Sequence, residues 1–175
     1  RDGSLHSVII HGKWYTAARR GNLFIASTAA AGVTLPVEDT TNLASTAGIV
    51  NPITSGVNCE LVAIGISTTT IDVALKPNVM CFQKNLSTSG GPPTSVTALT
   101  SHALPLSSGS AVAKCVAHSV ATFTNSVEMA PRINFIPAIS TAVGTGVPAW
   151  QYFDGEIIMG PDTAMAIVNS VTAIA

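Results

Sequence analysis

Apolar and polar positions in this chain alternate over short runs, and Gly, Pro, Ser, Thr and Asn cut the runs apart. The clearest block is Ala149–Ser170, AWQYFDGEIIMGPDTAMAIVNS. Two apolar runs, Trp150–Phe153 and Glu156–Met159, flank Asp154-Gly155. That dipeptide suits a two-residue hairpin, because Asp tolerates and Gly accepts the positive φ of a type I′ turn. A second reversal at Gly160-Pro161-Asp162 leads into Ala164–Ser170, with the φ of Pro161 already set for a turn. The pattern predicts a three-strand meander, and a meander needs another sheet over its apolar face.

Asn58–Ile66, NCELVAIGI, reads as the best central strand. Glu60, Val62, Ile64 and Ile66 fall on one face, and Cys59, Leu61, Ala63 and Gly65 on the other. The first face predicts core. The second predicts close packing against something else, since a free antiparallel sheet carries polar residues there. Leu23–Ser27, Ile71–Leu75, Val79–Phe82 and Arg132–Ile136 read as further strands, the last bounded by Pro131 and Pro137. Thr40–Ile53 reads as a polar loop closing on Asn51-Pro52, Asn85–Thr97 as a loop that projects outward, and Ser140–Pro148 as a small-residue loop. Ala111–Phe123 fits two periods. Val112, Val116, Val120 and Phe123 recur at helical spacing, while Val112, Lys114, Val116, His118 and Val120 alternate; the surrounding β pattern favours the strand. Arg1–Arg20 holds Val8-Ile9-Ile10 and Trp14-Tyr15 among polar residues. It reads as an arm that docks its aromatics on a neighbour, or as an N-terminal edge strand. Gly21–Ala175 then forms an all-β, two-sheet antiparallel sandwich of the jelly-roll type.

Composition changes the picture of the surface. The sequence is 47% hydrophobic and 10% charged, against roughly 25% charged in an ordinary soluble domain. A membrane span does not account for this: Thr163–Ala175 is apolar but thirteen residues long, short of the ~20 a spanning helix needs. The remaining explanation is a surface covered by other protein chains, where charge is depleted. Cys59, Leu61, Ala63 and Gly65, together with Trp14 and Tyr15, are the candidate contact residues. A net charge of −1 gives no reason to expect nucleic acid or anionic lipid as partner. Cys59, Cys81 and Cys115 are odd in number and widely spaced, which predicts buried free thiols in a reducing compartment. No secretory leader is expected over the opening RDGSLHSVII.

Catalytic constellations are sparse. G-x-S-x-G does not occur. Gly144-Thr145-Gly146 with Ala149 spells G-x-G-x-x-A, but Pro148-Ala149-Trp150 predicts no helix start to hold a pyrophosphate. Cys115 and His118 stand three apart, which on a strand turns them to opposite faces, and His102 lies in another segment; no metal or cofactor is expected. A glycosidase needs two carboxylates across a cleft, and a sugar cleft draws on exposed aromatics, of which a chain with 5% aromatic residues has few to spare. Asn85-Leu86-Ser87 is a formal glycosylation sequon, meaningful only in a secreted protein. The chain reads as a non-enzyme.

Four segments in order, GNLFIASTAAAGVTLPV (Gly21–Val37), NPITSGVNCELVAIGIS (Asn51–Ser67), MAPRINFIP (Met129–Pro137) and FDGEIIMGPDTAMAIVNS (Phe153–Ser170), resemble a family of small structural proteins of tailed-bacteriophage virions. In that family a G-x-LF opening, an AAAGV-x-LP link and an NP…SGVN strand precede a closing D-G-x-hydrophobic…P…A hairpin. The resemblance covers most of Gly21–Ser170 and leaves Arg1–Arg20 outside. It implies a jelly-roll sandwich, a homotrimer, contact with the major capsid protein or other virion proteins, and a place on the virion assembled in the host cytoplasm as a capsid cement or decoration protein. It brings no catalytic residues. The alternative function is a tail or receptor-binding module that grips a host surface glycan through loops such as Asn85–Thr97.

Overall fold

The computed structural model describes residues 12–29, 33, 42–66, 78–84, 86, 94–104, 113–124, 128–133 and 149–169. The described elements are, in chain order, helix α1 (Tyr15–Arg19) and strands β1 (Leu23–Ile25), β2 (Asn42–Asn51), β3 (Cys59–Glu60), β4 (Ala63–Ile66), β5 (Asn78–Lys84) and β6 (Thr94–Ala98). They continue with β7 (His102–Leu104), β8 (Val116–Thr124), β9 (Glu128–Ile133), β10 (Ala149–Tyr152), β11 (Ile158–Met159) and β12 (Thr163–Asn169). Every pairing is antiparallel. The fold is all-β. The expected strand Ile71–Leu75, the loop Ser140–Pro148 and the Gly144–Gly146 triplet lie outside the described residues.

The chain divides into two compact units, residues 1–26 with 101–113 and residues 27–100 with 114–175. In the first, β1 pairs with β7. The described part of the expected arm or edge strand is helical: Tyr15-Thr16-Ala17-Ala18-Arg19 holds good helix formers and ends in a Schellman cap. Gly21 sits at φ 70°, its N–H donates to the Ala18 carbonyl at 2.9 Å, and Asn22 N–H donates to the Ala17 carbonyl at 2.9 Å.

The second unit is built on a six-stranded sheet ordered β6-β8-β2-β12-β5-β9. β12 lies between β2 and β5 and is buried on both faces: Ala164, Met165, Ala166 and Val168 are almost wholly enclosed. One face is finely grained, with Val50, Leu86, Ala121, Ala164, Ala166 and Val168 in contact. The opposite face presents Met80 and Met165, which pack with Leu61, Ile64, Phe153 and Met159 from the short pairs β4–β10 and β3–β11. These short pairs form a cover layer over the sheet, the two-layer arrangement an amphipathic sheet requires.

Four expectations are corrected. Thr40–Ile53, read as a polar loop, contains the ten-residue strand β2 near the centre of the sheet. Its NLASTAGIVN sequence shows no large-apolar alternation, because one of its faces packs against alanines rather than bulky side chains. Asn58–Ile66 is not a central strand: it breaks at Leu61-Val62 into β3 and β4. Leu61 and Ile64 are both core although they belong to opposite faces of an unbroken strand, so the break shifts the phase. Asn85–Thr97 does not simply project outward, since Leu86 is buried and β6 begins at Thr94. The Pro131 region is strand through Pro131 itself: β9 is an edge strand, and its register shifts between the rungs Val79↔Arg132 and Cys81↔Met129, where an edge bulge tolerates the missing N–H. The strand reading of Ala111–Phe123 holds from Val116 onward, in β8; residues 113–115 precede the strand, and 111–112 lie outside the described residues.

Candidate interaction surface

The Asp154-Gly155 turn forms as its sequence requires, with φ 44° and 90° and Glu156 N–H donating to the Phe153 carbonyl at 2.7 Å. The flanking runs do not pair with each other. Ala149–Tyr152 pairs with Ala63–Ile66, and Ile158–Met159 pairs with Cys59–Glu60. Tyr152 faces Ala63 and Ile158 faces Glu60, so six steps on one side answer three on the other, and the turn is the excess looped out. Phe153 N–H to the Val62 carbonyl and Leu61 N–H to the Ile157 carbonyl, both 3.0 Å, close the ladder around it.

This ladder turns Ile64, Phe153 and Met159 into the core and leaves the other face outward. Trp150 is 56% exposed, Tyr152 65% and Ile158 62%. Trp150 and Tyr152, two apart on β10, stack with ring centroids 6.5 Å apart and planes 24° from parallel. Their cross-strand partners are Gly65 and Ala63. A Cβ on Gly65 would stand 3.0 Å from three indole carbons, so the ring lies on bare backbone. The Glu60 carboxylate lies beside the turn, 3.3 Å from where a Gly155 Cβ would be. The result is a solvent-facing aromatic platform.

The sequence-predicted contact residues separate. Ala63 and Gly65 lie under the platform, with Ala63 half-buried and Gly65 exposed. Leu61 belongs to the core, and Cys59 packs against it. Trp14 and Tyr15 belong to the other unit, at the start of α1; Trp14 is half-buried with the Lys13 ammonium 4.9 Å from its ring centroid, and Tyr15 is exposed. Sequence reasoning placed Trp150 and Tyr152 on a strand but not in a site. The available signal was an i, i+2 aromatic pair whose partner strand offers only Ala and Gly on the same face.

Polar side chains also lie inside this unit. Asn51 is fully buried, and its side-chain N–H₂ donates to the Val57 and Met159 carbonyls, each at 2.9 Å. His118 is 7% exposed, opposite Gly48 on β2 and Ala98 on β6, with no partner for Nδ1. Burial holds its pKa below the ordinary histidine value. The Cys59 and Cys115 thiols, both half-buried, are hydrogen-bonded to each other. That bond lowers the Cys59 pKa and, with burial, raises that of Cys115. Cys115 therefore faces the cover layer while His118 lies on a rung with Gly48, and no group of three or more His, Cys, Asp or Glu side chains fit to hold a metal gathers among the described residues. No helix among the described residues is long and apolar enough to cross a membrane. No protein-family model, no curated protein and no solved structure matches this chain.

Proposed function

We propose that this chain is a non-enzymatic structural protein that works by contact, as a capsid cement or decoration protein of a tailed-bacteriophage virion. One observation carries the reading: a chain with 10% charged residues turns Trp150, Tyr152 and Ile158 to solvent on one face of a rigid layer. Contiguous exposed apolar surface of this kind marks a protein interface, and aromatic anchors are what interface cores use. The occupant is a second copy of the chain, three copies closing a ring, with the outer surface of the trimer seated on shell subunits. Each buried Å² of apolar surface contributes about 25 cal/mol, a small term that repetition over a shell multiplies. The sequence likeness of Gly21–Ser170 to virion structural proteins supports the same reading. Sedimentation equilibrium of the purified protein should give three times the chain mass, and adding it to particles that lack it should raise their heat resistance. A monomer that leaves particles unchanged overturns the proposal.

A second reading is favoured by the platform itself. Two exposed, nearly parallel rings are a surface on which sugar rings stack, so a tail module recognising a host glycan is the alternative. Binding to a glycan array that disappears in Trp150→Ala, from a protein that stays monomeric, would decide for it.

A further inference from the structure

The three cysteines are far apart in sequence, yet the ladder brings two of them together. On β2 and β8 the register runs Ile49↔Ala117, then Val50↔Val116. Cys115 immediately precedes β8 and Asn51 ends β2, so the two stand at the same end of this strand pair. The Asn51 side chain donates to the Met159 carbonyl in the cover layer, and Met159 is the rung partner of Cys59. Asn51 thus ties the end of the sheet to the cover layer, and the two thiols, hydrogen-bonded to each other, stand across the same junction. Cys81 lies elsewhere, on β5 against Ala166 of β12 and Met129 of β9.

We propose that Cys59 and Cys115 are a disulfide-forming pair that locks the cover layer to the six-stranded sheet when the protein meets an oxidising medium. The oxidant is a small-molecule disulfide. The Cys59 thiolate attacks one of its sulfurs, forming a mixed disulfide and expelling one thiolate. Cys115 then gives up its proton and attacks Cys59 Sγ, forming the protein S–S bond and expelling the second thiolate. Two protein thiols lose two electrons, the small disulfide gains them, and the two protons end on its released thiols. Cys59 is assigned the first attack because its interaction with Cys115 lowers its pKa. Both residues are only partly buried, which leaves a small oxidant a way to them. In a reducing cytoplasm the pair stays open, and outside it the pair closes. This inference does not depend on the contact function proposed above.

The test is equilibration of the full chain in oxidised glutathione, followed by acid quench, alkylation and peptide mass mapping. The expected product has lost two hydrogens, carries a Cys59–Cys115 cross-linked peptide and keeps Cys81 alkylated. Closing so long a loop should raise the melting temperature by on the order of 10 °C. Cys81→Ser should oxidise identically, whereas Cys59→Ser and Cys115→Ser should each stop at a glutathione adduct of the remaining thiol. Persistent alkylation of both Cys59 and Cys115, a bond to Cys81, or stable double glutathione adducts in the unsubstituted chain overturns the proposal.

Discussion

The side-chain amide of Asn51 donates to the carbonyl oxygen of Met159 at 2.9 Å, across 108 positions of sequence. Its second N–H holds the Val57 carbonyl, and the backbone carbonyl of Asn51 accepts from Asp162 N–H at 2.9 Å. One buried residue thus fixes the end of β2, the Pro52–Asn58 connection and the approach to β12. Asn51→Leu leaves two carbonyls without donors and should cost about 3 kcal/mol. Asn51→Asp should cost at least as much, because a carboxylate would face two carbonyl oxygens. Urea unfolding checks both: the midpoint should fall at unchanged slope.

Gly48 marks a close approach of β2 to β12. A Cβ there would collide with the Met165 carbonyl oxygen and stand 3.2 Å from Ala166 Cα. Both obstacles are backbone of the central strand β12, so no side-chain rotation relieves them. Gly48→Ala should therefore destabilise by about 3 kcal/mol, the upper end of overpacking costs. Ala47→Gly, one position away on the same strand, should cost about 1 kcal/mol. A thermal melt in which Gly48→Ala matches the parent would show that β2 and β12 separate more easily than the ladder implies.

His118 makes stability depend on pH in a definite direction. Its folded pKa lies below its unfolded value near 6.5 because burial disfavours the imidazolium. Its rung neighbours, Gly48 and Ala98, carry no charge to offset this. Above pH ~6.5 both states hold neutral imidazole and nothing changes. As pH falls below that value the unfolded chain takes up the proton first, so stability declines until the folded pKa is reached. Chemical denaturation at pH 7.5 and pH 5 should show this loss in the parent and a smaller one in His118→Gln.

How much of this was legible in the sequence depends on how far each determinant reaches. The Asp154-Gly155 turn was legible because positive φ is a property of two residues. Its consequence was not, because alternation says which residues share a face but not which strand they meet; β10 and β11 both turn to Cys59–Ile66 instead of to each other. β2 was missed for a related reason: Gly48 gives no apolar signal, and its smallness makes sense only beside Ala166 of β12. Tyr15–Arg19, within the stretch read as an arm or edge strand, is a helix whose local signal is two adjacent alanines closed by Gly21. The Cys59–Cys115 contact is the least local of all, since it exists only once two ladders and the Asn51 bridge are in register.

The aromatic platform yields the prediction on which the contact function turns. Trp150 lies on Gly65 and faces solvent over more than half its surface, so removing it opens no core cavity. Trp150→Ala should therefore change the unfolding free energy by no more than ~1 kcal/mol. In a protein interface the same substitution removes a buried aromatic anchor, whose loss costs 2 kcal/mol or more, roughly a thirtyfold weaker association. Gly65→Val approaches the same surface from beneath: its side chain occupies the indole's resting place and pushes the ring away from Tyr152. Both variants should sediment as monomers at concentrations where the parent is trimeric, while their melting curves in the monomeric state stay close together. If both keep the parent's oligomeric mass, the platform is not where copies of this chain meet.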